Sequence, residues 1–254
     1  MQSIDWQTHE AAVWRGKSAS FRIVRERDGI RLDDLLGIDT QKAKLIQNTE
    51  RFLAGQPANH VLLWGSRGTG KSSLVKALLN EYASRSLRVL EVEKSDLVDL
   101  PELVDDLRDR PQKFIVYCDD MAFNEDERDY RHLKSIMEGS LELPPKNVRL
   151  YATSNRRHLL PEFQHENDSS RLVGRELHHG EAIEEKISLS DRFGLCISFY
   201  PIDEAQYFAM IDHLFPGHAD PEHLHVLARR FSMEKGVRSG RTARQFFQQF
   251  SGEL

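Results

Sequence analysis

Short apolar runs alternate with amphipathic segments along residues 35–200 of the chain. Runs such as HVLLW (60–64) are bounded by glycine or polar residues, which is typical of strands buried on both faces of a sheet. The segments between them repeat apolar residues at helical spacing. The pattern predicts strands at 60–64, 87–92, 113–119, 148–154 and 195–201, and helices within 35–55 and at 71–84, 100–110 and 131–142.

This alternation predicts a parallel sheet of five strands between two layers of helices, a three-layer α/β sandwich. The polar stretch 161–187 interrupts it as a long loop, and such loops inside a domain are usually functional or disordered. Residues 1–34 are mostly polar and offer one further short strand, at 20–26.

After residue 201 the pattern predicts only helices, at 203–215, 221–235 and about 240–251. We therefore expect an N-terminal segment (1–34), an α/β domain (35–200) and a small helical domain (201–254).

Composition and charge exclude several classes of protein. An apolar content of 39% and a charged content of 30% are typical of a globular chain, and the net charge of −5 provides no overall basic field for nucleic acid. No apolar run is long enough to cross a bilayer, and the N-terminus does not resemble a secretory signal. With Cys118 and Cys196 both in apolar runs, we expect a cytoplasmic protein with reduced thiols and no membrane partner.

The segment GSRGTGKS (65–72) matches the phosphate-binding motif G-x-x-x-x-G-K-[ST] between a predicted strand and a predicted helix. Its glycines let the backbone amides turn toward phosphate oxygens at the helix N-terminus. Lys71 would reach the outer phosphates, and the Ser72 hydroxyl would bind Mg²⁺. The predicted nucleotide-binding residues of the loop are Gly65, Ser66, Arg67, Gly68, Thr69, Gly70, Lys71, Ser72 and Ser73.

Polar residues end two of the other predicted strands. Asp119 follows FIVYC and is the candidate carboxylate for the magnesium ion of the loop. Asn155 follows LYATS, in a strand that we expect to lie between the strands of the loop and of Asp119, so its amide could orient the attacking water. The alternatives are a strand-end cap for Asp119 and a turn residue for Asn155.

The chain also resembles a known family. LLGID, GSRGTGKSS, YCDD, ATSNRRHL, SLSDRFGL and RSGRTARQF occur in the order of the AAA+ ATPases, and of a bacterial group of predicted AAA+ ATPases with a domain of unknown function. The resemblance covers about residues 30–250. It implies binding of ATP or ADP with Mg²⁺, but it does not identify the biological substrate.

The resemblance also implies roles for further residues. Asn155 would be the sensor-1 residue, and Leu36, Gly37 and Ile38 would cover the adenine. Arg192, in SDRFG, is similar to an arginine finger that reaches the γ-phosphate of a neighbouring subunit, which requires a ring or helical homo-oligomer. The alternative for Arg192 is a structural pair with Asp191.

Two positions remain open within this resemblance. Arg241 or Arg244 would be sensor 2, with Arg241 slightly preferred, and a solvated basic face is the alternative. Asp120 occupies the place where most AAA+ ATPases have a glutamate that polarises water. Because aspartate is one methylene shorter, we expect slow hydrolysis, with Glu125 or Asp126 as other candidates for the base.

Two functions follow as hypotheses. The first is an oligomeric ATPase that couples hydrolysis to movement of a helical lid and remodels or recruits an unidentified protein or DNA partner. The second is a nucleotide-gated scaffold that binds tightly and hardly hydrolyses. A small-molecule kinase is a weaker third hypothesis, because the candidate Arg192 finger and the GRTAR segment are features of oligomeric ATPases.

Overall fold

The computed structural model describes residues 4–123, 132–133, 136–137, 142–156, 159 and 189–252. The predicted loop at 161–187 lies outside these residues, as do Glu125, Asp126 and most of the predicted helix at 131–142.

One sheet forms the centre of the described structure, and its strand order is β2-β1-β4-β5-β6-β3-β7. All neighbouring strands are parallel except β1 and β2, which are antiparallel. The strands are β1 (Ala11–Arg15), β2 (Ser20–Ile23), β3 (Val61–Gly65), β4 (Leu87–Glu91), β5 (Lys113–Cys118), β6 (Val148–Ser154) and β7 (Leu195–Phe199).

The fold class is as predicted, but the sheet has seven strands in the described residues instead of five. The N-terminal segment supplies the other two, because β1 pairs with β4 and β2 pairs with β1. Two buried tryptophans, Trp6 and Trp14, anchor this segment, and the Trp14 indole donates a 2.8 Å hydrogen bond to Asp99. Residues 11–23 therefore belong to the central sheet and not to a separate N-terminal segment.

Helices cover both faces of the sheet, as the three-layer prediction requires. Helices α1 (Asp39–Leu53) and α2 (Lys71–Tyr82) pack on one face through Leu45, Phe52, Leu74 and Leu78. Helix α3 (Leu100–Arg108) packs its apolar side on the other face. None of the helices in the described residues is long and apolar enough to span a bilayer.

The C-terminal helices have a buried cluster of their own. They are α4 (Glu204–Leu214), α5 (Pro221–Lys235) and α6 (Gly240–Phe250). Asp203, Asp220 and Ser239 cap them, since each side chain accepts a backbone N–H of the first turn. Their shared core includes Tyr207, Ile211, Leu224, Phe231 and Phe246.

Candidate nucleotide-binding site

The phosphate loop connects the end of β3 to the start of α2. Gly65 has φ 130°, and a Cβ there would lie 1.9 Å from the carbonyl oxygen of Phe199. Gly68 has φ 75°, and its Cβ would lie 2.8 Å from Ser239 Oγ at the start of α6. Both positions therefore require glycine. The first lets the loop pass β7, and the second lets the C-terminal helices α4–α6, which we call the lid, approach the loop.

The Lys71 side chain is buried at the centre of this loop. Its ammonium donates to the carbonyl oxygens of Gly65 (2.8 Å) and Ser66 (2.7 Å) and lies 3.4 Å from Asn155 Oδ1. Desolvation lowers the pKa of Lys71, and the charge of Asp119 opposes this effect. The loop thus holds a partly desolvated cation where phosphate oxygens would bind.

Asp119 stands beside Ser72 at the carboxyl end of β5. Its Oδ1 atom accepts hydrogen bonds from the hydroxyls of Ser72 (2.8 Å), Tyr117 (2.7 Å) and Thr153. Desolvation alone would raise the pKa of Asp119, but the hydrogen bonds, led by that of Thr153, bring it below its usual value. The side chain is therefore a carboxylate near neutral pH.

Asp120 and Asn155 meet across neighbouring strands. As predicted, β6 lies between β3 and β5, so the Asn155 amide at its end donates to Asp120 Oδ1. The Asp120 backbone is left-handed (φ 49°), and its N–H donates to Thr153 Oγ1 (2.9 Å). Asn155 thus connects the Lys71 ammonium to the Asp120 carboxylate.

A cleft of about 730 Å³ opens above these residues, within the usual range for small-molecule sites. Loop residues 67–73 line it, and so do Asp119, Asp120 and Asn155. Gly65 and Ser66 are not among the described residues that line it, but their carbonyl oxygens accept hydrogen bonds from Lys71, which does.

Residues 28–38 form one wall of the cleft, which we call the strap. Leu36 and Ile38 line the cleft, whereas Gly37 faces Gln206 of α4. The strap is tied to α2, because the Asn80 amide donates to the carbonyl oxygens of Asp28 (2.7 Å) and Ile30 (2.9 Å).

The lid forms another wall of the cleft. Arg241 and Arg244 of α6 both line it. Arg241 lies nearer the phosphate loop, since its Cβ is 3.5 Å from the position of a Cβ on Gly68 and its charge contributes to the lowered pKa of Lys71.

Arg192, like Gly37, Gly65 and Ser66, is a predicted site residue that does not line this cleft. It lies in a turn before β7 and is absent from the described residues that line the cleft. The roles assigned to the individual residues remain predictions.

Sequence reasoning missed several residues of the site. Tyr117 and Thr153 hydrogen-bond Asp119, and each precedes a predicted site residue by two positions, so it points to the same face of its strand. This spacing of two residues along a strand is the signal in the sequence that could have identified Tyr117 and Thr153. Residues of the strap, α2 and the lid also line the cleft, namely Asp28, Ile30, Asp34, Leu35, Lys76, Met210, His213 and Leu214.

The residues present fit a magnesium nucleotide. Ser72 and Asp119 provide a hydroxyl and a carboxylate only 2.8 Å apart, and Mg²⁺ prefers such hard oxygen ligands. Lys71, Arg241 and Arg244 supply positive charge for the phosphates, and the apolar side chains of Leu35, Leu36 and Ile38 provide a surface for a base.

Comparisons with solved structures give the fold. Orc1 of Aeropyrum pernix in complex with DNA is 17% identical over 82% of this chain and 58% of that chain, with a TM-score of 0.57. A variant of RuvB from Thermotoga maritima is 14% identical over 88% of this chain and 72% of that chain, with a TM-score of 0.51.

Two curated proteins match this chain over about a quarter of its length. The replication factor C large subunit of Staphylothermus marinus is 39% identical over 67 residues, which are 26% of this chain and 15% of that protein. The same subunit from Ignicoccus hospitalis is 37% identical over 68 residues, or 26% of this chain and 14% of that protein.

The chain therefore spans about a seventh of these curated relatives. The family described as "Protein of unknown function (DUF815)", by contrast, matches residues 7–254. This match shows that the chain belongs to the DUF815 family of proteins of unknown function, and its fold is similar to the folds of Orc1 and RuvB.

Proposed function

We propose that this protein binds Mg·ATP in the cleft, hydrolyses it slowly as a homo-oligomer, and couples hydrolysis to the remodelling or recruitment of a macromolecular partner. The observation that carries the proposal is the convergence of Lys71, Ser72, Asp119 and Asn155 beneath Arg241 of the lid.

Binding follows from the groups that surround the cleft. The loop amides and Lys71 bind the triphosphate. The adenine of the nucleotide lies against Leu36 and Ile38 of the strap. Ser72 and Asp119 hold the magnesium ion, which, when bound, neutralises charge on the phosphate oxygens.

Hydrolysis uses the residues at the ends of β5 and β6. Asp120 acts as the base toward the attacking water, and Asn155, which already contacts its carboxylate, orients that water. Positive charge on Lys71 and Arg241, and on Arg192 of a neighbouring copy, stabilises the charge that develops on the phosphoryl group. Turnover is slow because the aspartate must reach about one methylene further than a glutamate.

The proposal includes a partner because a movement of the lid that the nucleotide drives can act only on a macromolecule bound to the protein. The similarity to Orc1 in complex with DNA and the short match to the replication factor C large subunit support a DNA or DNA-bound protein partner. The net charge of −5 implies that a local patch, and not the whole surface, would contact DNA.

A nucleotide-gated scaffold is the second candidate function. The observation that favours it is the short Asp120 side chain, whose carboxylate accepts a hydrogen bond from Asn155. A base that is too short would slow hydrolysis without weakening the binding of ATP.

Binding and turnover measured on the same preparation decide between the two candidates. Wild-type protein is titrated with ATP by calorimetry, and phosphate release is followed under saturating ATP. The control is Lys71→Ala, which should abolish binding because it removes the cation at the centre of the loop. Binding with measurable turnover supports the ATPase, and binding with no turnover supports the scaffold. Wild type that binds no more ATP than Lys71→Ala contradicts both.

A further inference from the structure

The Asp119 carboxylate accepts three hydroxyl hydrogen bonds on a single oxygen atom. Ser72, Tyr117 and Thr153 all donate to Oδ1. A carboxylate oxygen has about two lone-pair sites, so three donors saturate Oδ1 and direct the remaining acceptor capacity of the group to Oδ2. The orientation of the carboxylate is thereby defined by residues on three different elements.

Tyr117 approaches Asp119 from within the core. Its side chain is only 5% exposed. It packs on the α2 side of the sheet together with Ile115, which lies two positions earlier on the same face of β5. Its hydroxyl donates to Asp119 Oδ1 at 2.7 Å, and a tyrosine phenol keeps its proton near neutral pH. Tyr117 is thus a fixed donor to the carboxylate.

Thr153 makes a second fixed contact from β6. Its hydroxyl donates to Asp119 and accepts the N–H of Asp120 at 2.9 Å. Both hydrogen-bonding directions of this hydroxyl are therefore defined, and one buried side chain orients two consecutive aspartates.

The same arrangement defines the direction of the Ser72 hydroxyl. Its proton is directed to Asp119 Oδ1, so its oxygen lone pairs are available to a cation on the loop side. A metal ligand held in this way by outer hydrogen bonds binds more tightly than a freely rotating one.

We propose that Tyr117 and Thr153 are positioning residues for magnesium, which act by orienting Asp119 and Ser72. The inference rests on the proposed binding of Mg·ATP and adds to it the residues that determine metal affinity. Tyr117 is absent from the described lining of the cleft, whereas Thr153 lies within it. In this scheme both residues act through Asp119 and Ser72, so their loss weakens the magnesium-dependent part of binding only.

The test measures binding of a fluorescent ATP analogue to the full chain, over a series of Mg²⁺ concentrations and in excess EDTA. For Tyr117→Phe we expect the Mg²⁺ concentration at half-effect to rise about 10- to 100-fold, the usual effect of losing an outer-shell partner. Affinity in EDTA should stay within about threefold of the wild type, because the loop amides and Lys71 are unchanged.

The matched control is Tyr82→Phe. This variant also removes a tyrosine hydroxyl from a carboxylate, since Tyr82 donates to Glu50 at 3.0 Å, but it does so at the far end of α2. It should leave the magnesium dependence unchanged. Thr153→Val and Thr153→Ser supply a second pair, in which valine should raise the required Mg²⁺ and serine, which keeps the hydroxyl, should restore it.

The outcomes separate the inference from the function on which it depends. An unchanged Mg²⁺ requirement in both Tyr117→Phe and Thr153→Val overturns the positioning role. Equal weakening of binding with Mg²⁺ and in EDTA also overturns it, since the side chains would then only support the loop. If the wild type binds no analogue, or binds it without any magnesium effect, the proposed function itself is overturned.

Discussion

Asp120 combines two features that affect how fast the proposed reaction runs. Its backbone is left-handed (φ 49°), a conformation that costs a non-glycine residue on the order of 1 kcal/mol or more and persists only where contacts enforce it. Here the contacts are the hydrogen bond of its N–H to Thr153 and that of its carboxylate to Asn155. The side chain is thus held in place, but it is shorter than the glutamate of most AAA+ ATPases.

Exchange of this side chain tests whether its reach limits turnover. We expect Asp120→Glu to raise steady-state phosphate release, because an ångström of displacement can cost about a hundredfold in rate. Asp120→Asn, which keeps the size but removes the base, should bind ATP with normal affinity and lose turnover. Phosphate release that is as fast in Asp120→Asn as in the wild type would exclude Asp120 as the base and direct attention to Glu125 or Asp126.

His60 makes the stability of the protein depend on pH. Its Nδ1 accepts the N–H of Leu150 at 2.9 Å, and burial, with the charge of Arg149, lowers the pKa of His60 to about 4. The unfolded chain binds this proton near pH 6.5, so the folded state loses stability as pH falls below about 6.5. The loss is up to about 1.4 kcal/mol per pH unit.

Urea unfolding at about pH 7.5 and about pH 5 measures this dependence. The wild type should lose up to about 2 kcal/mol more than His60→Gln over the interval, because glutamine retains an acceptor but does not titrate. His223→Gln, at an exposed position of α5, is the control and should behave as the wild type does. An equal pH dependence in the wild type and His60→Gln would contradict the assignment.

At the scale of elements, α6 places two arginines over the cleft, and their distance from the phosphate loop distinguishes them. Arg241 lies in the first turn, beside Gly68, whereas Arg244 is one turn further along. Arg241→Ala should therefore weaken ATP binding by about tenfold or more, the effect of one lost charge-assisted hydrogen bond, while Arg244→Ala changes it by less than about threefold. Calorimetric titration with ATP and ADP checks the order, and a larger loss in Arg244→Ala would reverse the assignment.

Much of the site is predictable from the sequence, because it lies at the ends of elements that have strong local patterns. The loop motif identifies Lys71 and Ser72, and the apolar runs that end in polar residues identify Asp119 and Asn155. The placement of the LYATS strand between the strands of the loop and of Asp119 is predicted from these two motifs, and the structure confirms it by placing β6 between β3 and β5.

The missed features share a physical cause, which is that they depend on non-local pairing. Tyr117 and Thr153 look like core residues of strands, and only the pairing of β5 with β6 brings their hydroxyls to one carboxylate oxygen. Strand β1 is short and follows a polar segment, and it joins the sheet only because the distant strand β4 offers it an edge. Likewise, the strap lines the cleft because Asn80 of α2 holds its backbone.

On the scale of the whole molecule, the position of Arg192 bears on assembly. The residue lies before β7, which forms one edge of the sheet, and it does not belong to the described lining of its own cleft. The predicted finger would therefore act on the nucleotide of another copy. Such a contact is head-to-tail, and repeated copies of it close into a ring or continue as a helix.

Arg192→Ala should bind ATP as the wild type does, while its turnover falls about tenfold or more, because the finger contributes to the transition state and not to ground-state binding. Arg230→Ala, which removes an exposed arginine of α5, is the matched control and should keep full turnover. A mixing experiment adds a result that only action between subunits can produce. The Arg192→Ala subunit keeps an intact cleft, and the Asp120→Asn subunit keeps an intact Arg192. Where the two variants are neighbours in a mixed oligomer, the arginine of one can complete the cleft of the other, so the mixture should regain turnover that neither variant shows alone. Unchanged turnover in Arg192→Ala, or no recovery in mixtures shown to be co-assembled, would contradict a shared site.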